Sequence, residues 1–185
     1  PAGPPPERAP VVLGFDGSWN RDCTGLVGST LEAPRQLFTV KLWERPSGKA
    51  QWNVSTDDVK QEIRNACARW DVRGVGCDPF RWQEVISGLL EEGLPMIEWP
   101  SHQPARMAPA CTQFYNDVVN GVVTHGEDAD LARHIRHPVV KIDSRGARIT
   151  KDAPNSERYI DLAVCAVIAN DLAVRAPDGR PFVGI

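Results

Sequence analysis

The order of strand-like and helix-like segments constrains the fold of this chain more than any other feature of its sequence. Three runs typical of strands come first, at residues 11–19, 23–31 and 36–44, and the short connection NRD after the first run predicts an antiparallel hairpin. Helical patterns then alternate with short apolar strands as far as residue 174. This order, βββαβαβα, predicts an α/β fold with a mixed sheet covered by helices on both faces.

The individual patterns give approximate bounds for the later elements. Ser55 or Thr56 is a typical N-cap for the first helix, and Pro79 ends a buried strand by interrupting its ladder. The sequence VVKID indicates an edge strand. The predicted helices lie at 56–70, 80–92, 106–120, 128–136 and 157–174, and the later strands at 72–78, 94–100 and 139–143.

Three aspartates stand at unusual places in this pattern. Asp16 interrupts the first apolar run, Asp78 ends a later strand, and Asp161 lies within the otherwise apolar run YIDLAVCAVIA. Open α/β sheets place ligands at the carboxyl ends of their strands, and an unpaired buried carboxylate is costly. Each aspartate also has a structural interpretation, as a bulge residue, a helix N-cap and a first-turn acid respectively. Together the three predict one acidic site at a single sheet edge.

The chemistry of these carboxylates indicates a divalent-cation site. Crowded carboxylates repel one another unless they are protonated or neutralised, and oxygen ligands suit Mg²⁺ or Mn²⁺ rather than zinc. Two such ions about 4 Å apart clamp the attacking and leaving oxygens of a phosphoryl displacement. We predict that Asp16 bridges two ions, with Asp78 and Asp161 each holding one. Crowding also predicts that Asp78→Asn leaves the metal-free protein equally stable or more stable.

Composition narrows the class of protein. The formal net charge of −3 does not by itself indicate a nucleic-acid binder, although a local basic stripe can act while acids cluster elsewhere. The five cysteines include no C-x-x-C pair, which argues for reduced thiols and against a disulfide framework or a zinc site. No apolar run approaches the roughly 20 residues of a membrane span, and no signal peptide is visible. We expect a soluble intracellular domain.

A local excess of basic residues lies between residues 133 and 151, where six of them accompany one acid, Asp143. Such an excess suits sequence-independent contact with phosphates, and an ordinary solvated face with a flexible hairpin explains it equally well. Arg81, three residues after Asp78, either reaches a phosphate near the metals or pairs with Glu84. The six basic residues are Arg133, Arg136, Lys141, Arg145, Arg148 and Lys151.

The histidines give weaker signals. His134 and His137 form an H-x-x-H pair, and the sequence supplies no further zinc ligands at helical spacing. His125, which precedes Gly126, is a candidate general acid or loop stabiliser.

The chain resembles the C-terminal nuclease domain of the large terminase subunit of tailed bacteriophages, a member of the ribonuclease H-like superfamily. The resemblance rests on LGFDGS, GVGCDPFRW, VVTHGEDADLARHI and ERYIDLAVCAVIAND, and it covers residues 10–175 approximately. It implies a ribonuclease H-like mixed five-stranded β-sheet with helices on both faces. It also makes Asp16, Asp78 and Asp161 the catalytic, metal-binding triad. Asp22, just past the predicted turn, is either an auxiliary acid near the metals or a plain turn residue.

The resemblance implies a metal-dependent endonuclease that cuts double-stranded DNA with little sequence specificity during viral DNA packaging. It implies two divalent cations, Mg²⁺ or Mn²⁺, and partners that include an upstream ATPase domain, a portal and a small terminase subunit. The setting is the host bacterial cytoplasm. The sequence contains no G-x-x-x-x-G-K-[ST] motif, and PSGKA lacks both its spacing and its hydroxyl. We therefore expect a nuclease domain without its ATPase, monomeric and not associated with a membrane.

The predicted organisation is a proline-rich linker or junction at 1–10, the nuclease domain at 11–175 and a tail at 176–185. Two alternatives stay open. A Holliday-junction resolvase or transposase-like nuclease has the same fold, and a resolvase would prefer four-way junctions. A catalytically silent packaging scaffold would keep the basic segment without any metal-dependent cleavage.

Overall fold

The computed structural model describes residues 3–17, 23–46, 52–153, 156 and 158–176. These residues form eight strands and five helices. The strands are β1 (Pro10–Gly17), β2 (Thr24–Thr30), β3 (Arg35–Trp43), β4 (Asp71–Cys77), β5 (Met96–Glu98), β6 (Val123–Thr124), β7 (Val139–Asp143) and β8 (Gly146–Thr150). The helices are α1 (Thr56–Arg69), α2 (Gln83–Glu91), α3 (Pro104–Val119), α4 (Ala129–Arg136) and α5 (Asp161–Arg175).

Six strands form one mixed sheet in the order β5-β4-β1-β2-β3-β6. β1 pairs antiparallel with β2 and parallel with β4. The predicted α/β fold and the predicted β1–β2 hairpin are therefore confirmed. The sheet has six strands rather than five because the two-residue strand β6 pairs with the start of β3. A strand of that length is too short to show alternation in the sequence.

β1 separates two hydrophobic layers because successive side chains of a strand point to opposite faces. Val11, Leu13 and Phe15 pack with residues of α1 and α2. Val12 packs on the other face with residues of α3 and α5. Asp16 belongs by alternation to this second face, so its side chain points to the side of the sheet that α5 covers.

α5 is buried along its length from Asp161 to Ala173. The apolar run from Leu162 to Ala169 allows this, because a helix that is hydrophobic all round can be surrounded by protein. The helix lies directly on β1: a Cβ added at Gly14 would sit 2.2 Å from the Cys165 carbonyl oxygen and 2.8 Å from the Ala169 nitrogen. Gly14 therefore permits a backbone-to-backbone approach that brings the start of α5 to the end of β1.

A buried polar network also holds α5. The Arg35 guanidinium donates to Asp117 Oδ2 at 2.6 Å and to Asn170 Oδ1 at 3.2 Å, and Asn170 Nδ2 donates to the same Asp117 oxygen at 2.8 Å. These residues belong to β3, α3 and α5, so the network joins all three elements.

The strand predicted at 139–143 forms, but it does not lie at the edge of the main sheet. It pairs with β8 in a separate antiparallel hairpin. β8 packs against α3, and a Cβ added at Gly146 would lie 2.8 Å from the Ala108 Cβ. Alternation in the sequence predicts that residues 139–143 form a strand, but it does not predict which strand pairs with them. The sequence alone therefore did not locate β7 in the fold.

Two helices begin later than predicted. α2 begins at Gln83 because Arg81 adopts φ of 68°, outside the helical region, and residues 79–82 form a turn instead. α5 begins at Asp161, with Ile160 in a non-helical conformation before it. The predicted cap of α1 is Ser55, whose hydroxyl accepts from the Asp58 N–H.

Residues 3–10, within the segment predicted as a linker, lie along the domain. Arg8 N donates to the Arg69 carbonyl at 2.8 Å, and Trp70 Nε1 donates to the Pro5 carbonyl at 3.2 Å. Of the predicted tail, residues 177–185 lie outside the described residues. Among the helices that the structure describes, none has the length and apolar character needed to cross a membrane.

Candidate metal and nucleic-acid site

Asp16 lies near the carboxyl end of β1, and it lines a cavity of about 540 Å³. We call this space the Asp16 cavity. Phe15 is in register with Cys77 on the parallel strand β4. Asp16 and Asp78, the residues that follow them, therefore lie at neighbouring positions of the sheet. Asp16 itself pairs with Gly25 of β2. The structure therefore places the first two predicted ligands side by side at one sheet edge.

Asp78 directly follows β4, and its buried carboxylate is hydrogen-bonded through both oxygens. Oδ1 accepts from the Phe80 N–H at 2.8 Å, and Oδ2 accepts from the Ser101 N–H at 2.9 Å and from the Ser101 hydroxyl. His102 Nδ1 lies 3.5 Å from Oδ2. The carboxylate thus organises the turns after β4 and β5, as the structural interpretation of this residue expects, and remains at the sheet edge where a ligand is predicted.

Asp161 is the first residue of α5 and is also buried. The Cys23 thiol donates to its Oδ2 at 3.0 Å. The next residue, Leu162, donates its N–H to His134 Nδ1 at 3.2 Å, so His134 caps the start of the helix. His134 Nε2 lies 3.5 Å from Glu44 Oε1. The start of α5 is therefore held by Cys23, just before β2, and by His134 of α4.

The charges of the three aspartates act on two buried thiols. Burial raises the pKa of Cys77 most, and the charges of Asp16 and Asp78 raise it further. Burial likewise raises the pKa of Cys165, followed by the charges of Asp16 and Asp161. The ligand atoms of Asp16, Asp78 and Asp161 do not, however, all lie within 4.8 Å of one another.

The donor types of these three residues fit Mg²⁺ or Mn²⁺, which prefer oxygen ligands. A second group has different chemistry: among the described residues, one set of three ligand-type side chains has all its ligand atoms within 4.8 Å, namely Cys23, His134 and Asp161. Mixed sulfur, nitrogen and oxygen donors are typical of zinc. In this group, however, Nδ1 of His134 accepts a backbone N–H and the Cys23 thiol donates to the carboxylate. Its hydrogen bonds hold Asp161 in place.

Four of the seven predicted DNA-binding cations line the Asp16 cavity, and all four come from the β7–β8 hairpin or the residue after it. Two of these guanidiniums are oriented by Asp143, whose Oδ2 accepts from Arg145 at 2.9 Å and from Arg148 at 2.5 Å. Arg145 also holds the pKa of Asp143 at about 2. The four cations are Lys141, Arg145, Arg148 and Lys151.

The other predicted cations lie elsewhere. Arg133 donates to Glu44 at 2.8 Å and to Asp130 at 2.9 Å, outside the cavity. Arg136 is exposed on α4 and does not line the cavity either. Arg81 is exposed, and its guanidinium stacks over the Phe80 ring rather than pairing with Glu84. Asp22 lies outside the described residues.

Sequence reasoning did not assign four residues that build this site. Ser101 and His102 follow β5, and Cys23 and His134 come from β2's start and α4. In the sequence, His134 is part of an H-x-x-H pair, which is considered as a pair of zinc ligands and not as a helix cap. His125, in contrast, lines a separate cavity of about 340 Å³ with Gln36 and Thr39.

Comparison with known proteins gives relatives of low sequence identity. No profile of a known protein family matches the sequence. The Gene 13 protein of Mycobacterium phage L5 is 29 % identical over 174 residues, and the Gene 13 protein of Mycobacterium phage D29 is 28 % identical over 174 residues. Each match covers 86 % of this chain and 28 % of the relative. The chain thus spans less than a third of the length of these two proteins.

Solved structures share the fold. The HK97 bacteriophage large terminase superposes with a TM-score of 0.71 at 20 % identity, covering 89 % of this chain and 39 % of that one. The large terminase nuclease from thermophilic phage G20c gives 0.68 at 12 % identity, covering 90 % and 85 %. The latter nuclease has also been solved with bound magnesium, cobalt and zinc.

The chain therefore has a ribonuclease H-like α/β fold. More narrowly, it is the fold of the nuclease domain of phage large terminases, which confirms at the level of fold the resemblance that the four motifs carry.

Proposed function

We propose that this chain is a metal-dependent endonuclease that hydrolyses phosphodiester bonds of double-stranded DNA with little sequence specificity. One observation carries the proposal: Asp16, at the end of β1, shares a cavity with four cationic side chains. Carboxylates attract divalent ions and cations attract phosphates, so the two together suit a phosphodiester substrate. The likeness to phage terminase nucleases supports the same function.

Asp16, Asp78 and Asp161 are the residues that would hold two Mg²⁺ or Mn²⁺ ions, with Asp16 shared between them. When bound, such ions supply a water nucleophile at neutral pH and stabilise the charge of the departing oxygen. The protein's own contribution is positioning. The Ser101 and Phe80 donors orient Asp78, and the Cys23 thiol orients Asp161. Lys141, Arg145, Arg148 and Lys151 would bind phosphates on either side of the scissile bond.

We further propose that the chain acts in viral DNA packaging, as the nuclease domain of a terminase large subunit in the host bacterial cytoplasm. An ATPase domain of the same protein, a portal and a small terminase subunit would then be its partners. The 28 % coverage of the two phage relatives supports additional domains in the complete protein.

Cleavage of supercoiled plasmid tests the proposed activity. We expect nicking and linearisation with Mg²⁺ or Mn²⁺, none with EDTA, and loss of cleavage in Asp16→Asn. The control is Asp57→Asn, an exposed aspartate in the first turn of α1, which should cut like the unchanged chain.

The same assay separates the alternatives. Strong preference for a four-way junction over linear duplex would favour the resolvase. A folded chain that cuts with neither metal would favour the scaffold, and cleavage that survives in Asp16→Asn would place the active site elsewhere.

A further inference from the structure

An aromatic ring is displayed at the turn that follows Asp78. The Phe80 side chain is 64 % exposed, although burial of a phenylalanine is normally favourable. The next residue, Arg81, has φ of 68°, a left-handed conformation that costs energy for a residue with a long side chain. Its guanidinium carbon lies 5.1 Å from the ring centroid of Phe80, so one face of the ring is backed by a cation. The Phe80 side chain therefore stays largely exposed although a cation lies against it.

The turn that carries Phe80 is anchored on both sides. Before it, the Phe80 N–H donates to Asp78 Oδ1 at 2.8 Å. After it, Trp82 is buried, packs edge-on against Phe15 with centroids 4.8 Å apart, and donates from Nε1 to the Gly17 carbonyl at 3.0 Å. An exposed ring on a firmly held turn is preorganised for contact, because little conformational freedom is lost when something binds.

Phe80 also lies beside the Asp16 cavity. Its ring centroid is 6.4 Å from that of His102, which lines the cavity and whose Nδ1 is 3.5 Å from Asp78 Oδ2. A phosphate held near Asp78 would therefore place its own or the adjacent nucleoside within reach of the ring.

We propose that Phe80, backed by Arg81, stacks on an unpaired nucleobase next to the phosphate bound at the Asp78 side of the site. The inference rests on the proposed function, because it takes DNA to be the substrate. An aromatic face next to cations is the arrangement that proteins use for single-stranded nucleic acid, since every base offers a π-face to it. Bases within a duplex stack on each other, so the ligand is a single-stranded or locally unpaired stretch.

Binding measurements with Ca²⁺ in place of Mg²⁺ and Mn²⁺ test this inference. The probes are a short single-stranded oligonucleotide carrying 2-aminopurine and the duplex of the same sequence, followed by fluorescence anisotropy. We expect Phe80→Ala to weaken single-strand binding about 10-fold, the loss of one stacked base, and duplex binding less than about twofold. Phe80→Trp should retain single-strand affinity and the quenching of 2-aminopurine, whereas Phe80→Leu should lose both.

The matched control is Tyr115→Ala on α3, because Tyr115 is 68 % exposed and does not line the Asp16 cavity. It should change neither affinity. Equal weakening of both probes by Phe80→Ala, no weakening, or no measurable single-strand binding by the unchanged chain would overturn the inference.

The inference and the proposed function fail in different ways. An uncut plasmid with selective loss of single-strand binding in Phe80→Ala would refute the nuclease and support the stacking. Metal-dependent cutting with unchanged single-strand binding in Phe80→Ala would support the nuclease and refute the stacking.

Discussion

At the scale of single residues, Asp78 combines two demands on one carboxylate. Crowding among acids predicts that Asp78→Asn preserves or increases stability, but the structure shows that both oxygens accept hydrogen bonds. The side-chain amide of asparagine has an NH₂ donor in place of one of the two carboxylate oxygens. A buried N–H would then face another donor instead of an acceptor. We now expect Asp78→Asn to lower the free energy of unfolding by about 1–2 kcal/mol in metal-free buffer. Urea denaturation measures it, and an unchanged or higher midpoint would show that repulsion dominates.

His134 gives the protein a predictable response to acid. Burial lowers its pKa to about 4, followed by the charge of Arg133, and Glu44 opposes the shift only in part. The unfolded chain, with a histidine pKa near 6.5, therefore binds more protons between pH 6.5 and 4. Stability should fall as the pH decreases through this window, by roughly 3 kcal/mol in total.

The test of this response compares urea denaturation of the unchanged chain and His134→Gln from pH 7 to 4 with EDTA present. The variant should lose less stability over this range. His102→Gln, at a side chain that is 61 % exposed, is the control and should follow the unchanged chain. Parallel curves for His134→Gln and the unchanged chain would contradict the assignment.

At the scale of elements, we expect the contact between β1 and α5 to determine stability and, with it, the proposed cleavage. A methyl group at Gly14 would meet backbone atoms of α5 at 2.2 and 2.8 Å, and backbone atoms cannot move aside singly. We expect Gly14→Ala to cost about 3 kcal/mol or more. Because α5 must shift to relieve the clash, Asp161 moves relative to Asp16, and cleavage should fall about 100-fold.

Gly88 of α2 provides the contrast. An added Cβ there would meet no atom closer than the Lys60 Nζ at 3.6 Å. Gly88→Ala should raise stability by up to about 1 kcal/mol, since alanine is the better helix former, without affecting cleavage. Thermal denaturation and plasmid cleavage of both variants decide the matter, and a harmless Gly14→Ala would contradict the close approach.

The elements with strong periodicity were predictable, whereas the shared metal site of the three aspartates stays a prediction. Alternation gave β1 to β3, and an apolar run gave α5, so the three aspartates could be assigned to one sheet edge. The partner of β7 and the two-residue β6 depend on tertiary packing that no local pattern encodes. The same holds for Cys23, which donates to Asp161 from 138 residues away, and for His134, which accepts from Leu162 28 residues away.

At the scale of the whole molecule, charge is distributed unevenly. The formal net charge is −3, yet four cations surround the Asp16 cavity. If all four contact phosphates, the logarithm of the duplex association constant should fall against the logarithm of salt concentration with a slope of about −3 to −4. Lys141→Ala should reduce the magnitude of that slope by about 1.

Arg133→Ala is the control for this dependence, because Arg133 pairs with Glu44 and Asp130 away from the cavity. It should leave the slope unchanged. Anisotropy titrations of duplex DNA at several salt concentrations measure all three slopes. A slope that changes for Arg133→Ala and not for Lys141→Ala would assign phosphate binding to α4 instead of the hairpin.

The burial of α5 has a consequence for how cutting can be controlled. Asp161 sits on a helix that lies inside the core and is fixed by Gly14, by the Arg35 network and by His134. If Asp161 holds a metal ion as proposed, moving it away would require disrupting much of the domain. Control of the proposed nuclease would then act on the approach of DNA, and the β7–β8 hairpin, which packs outside the main sheet, is the surface where a regulator could bind.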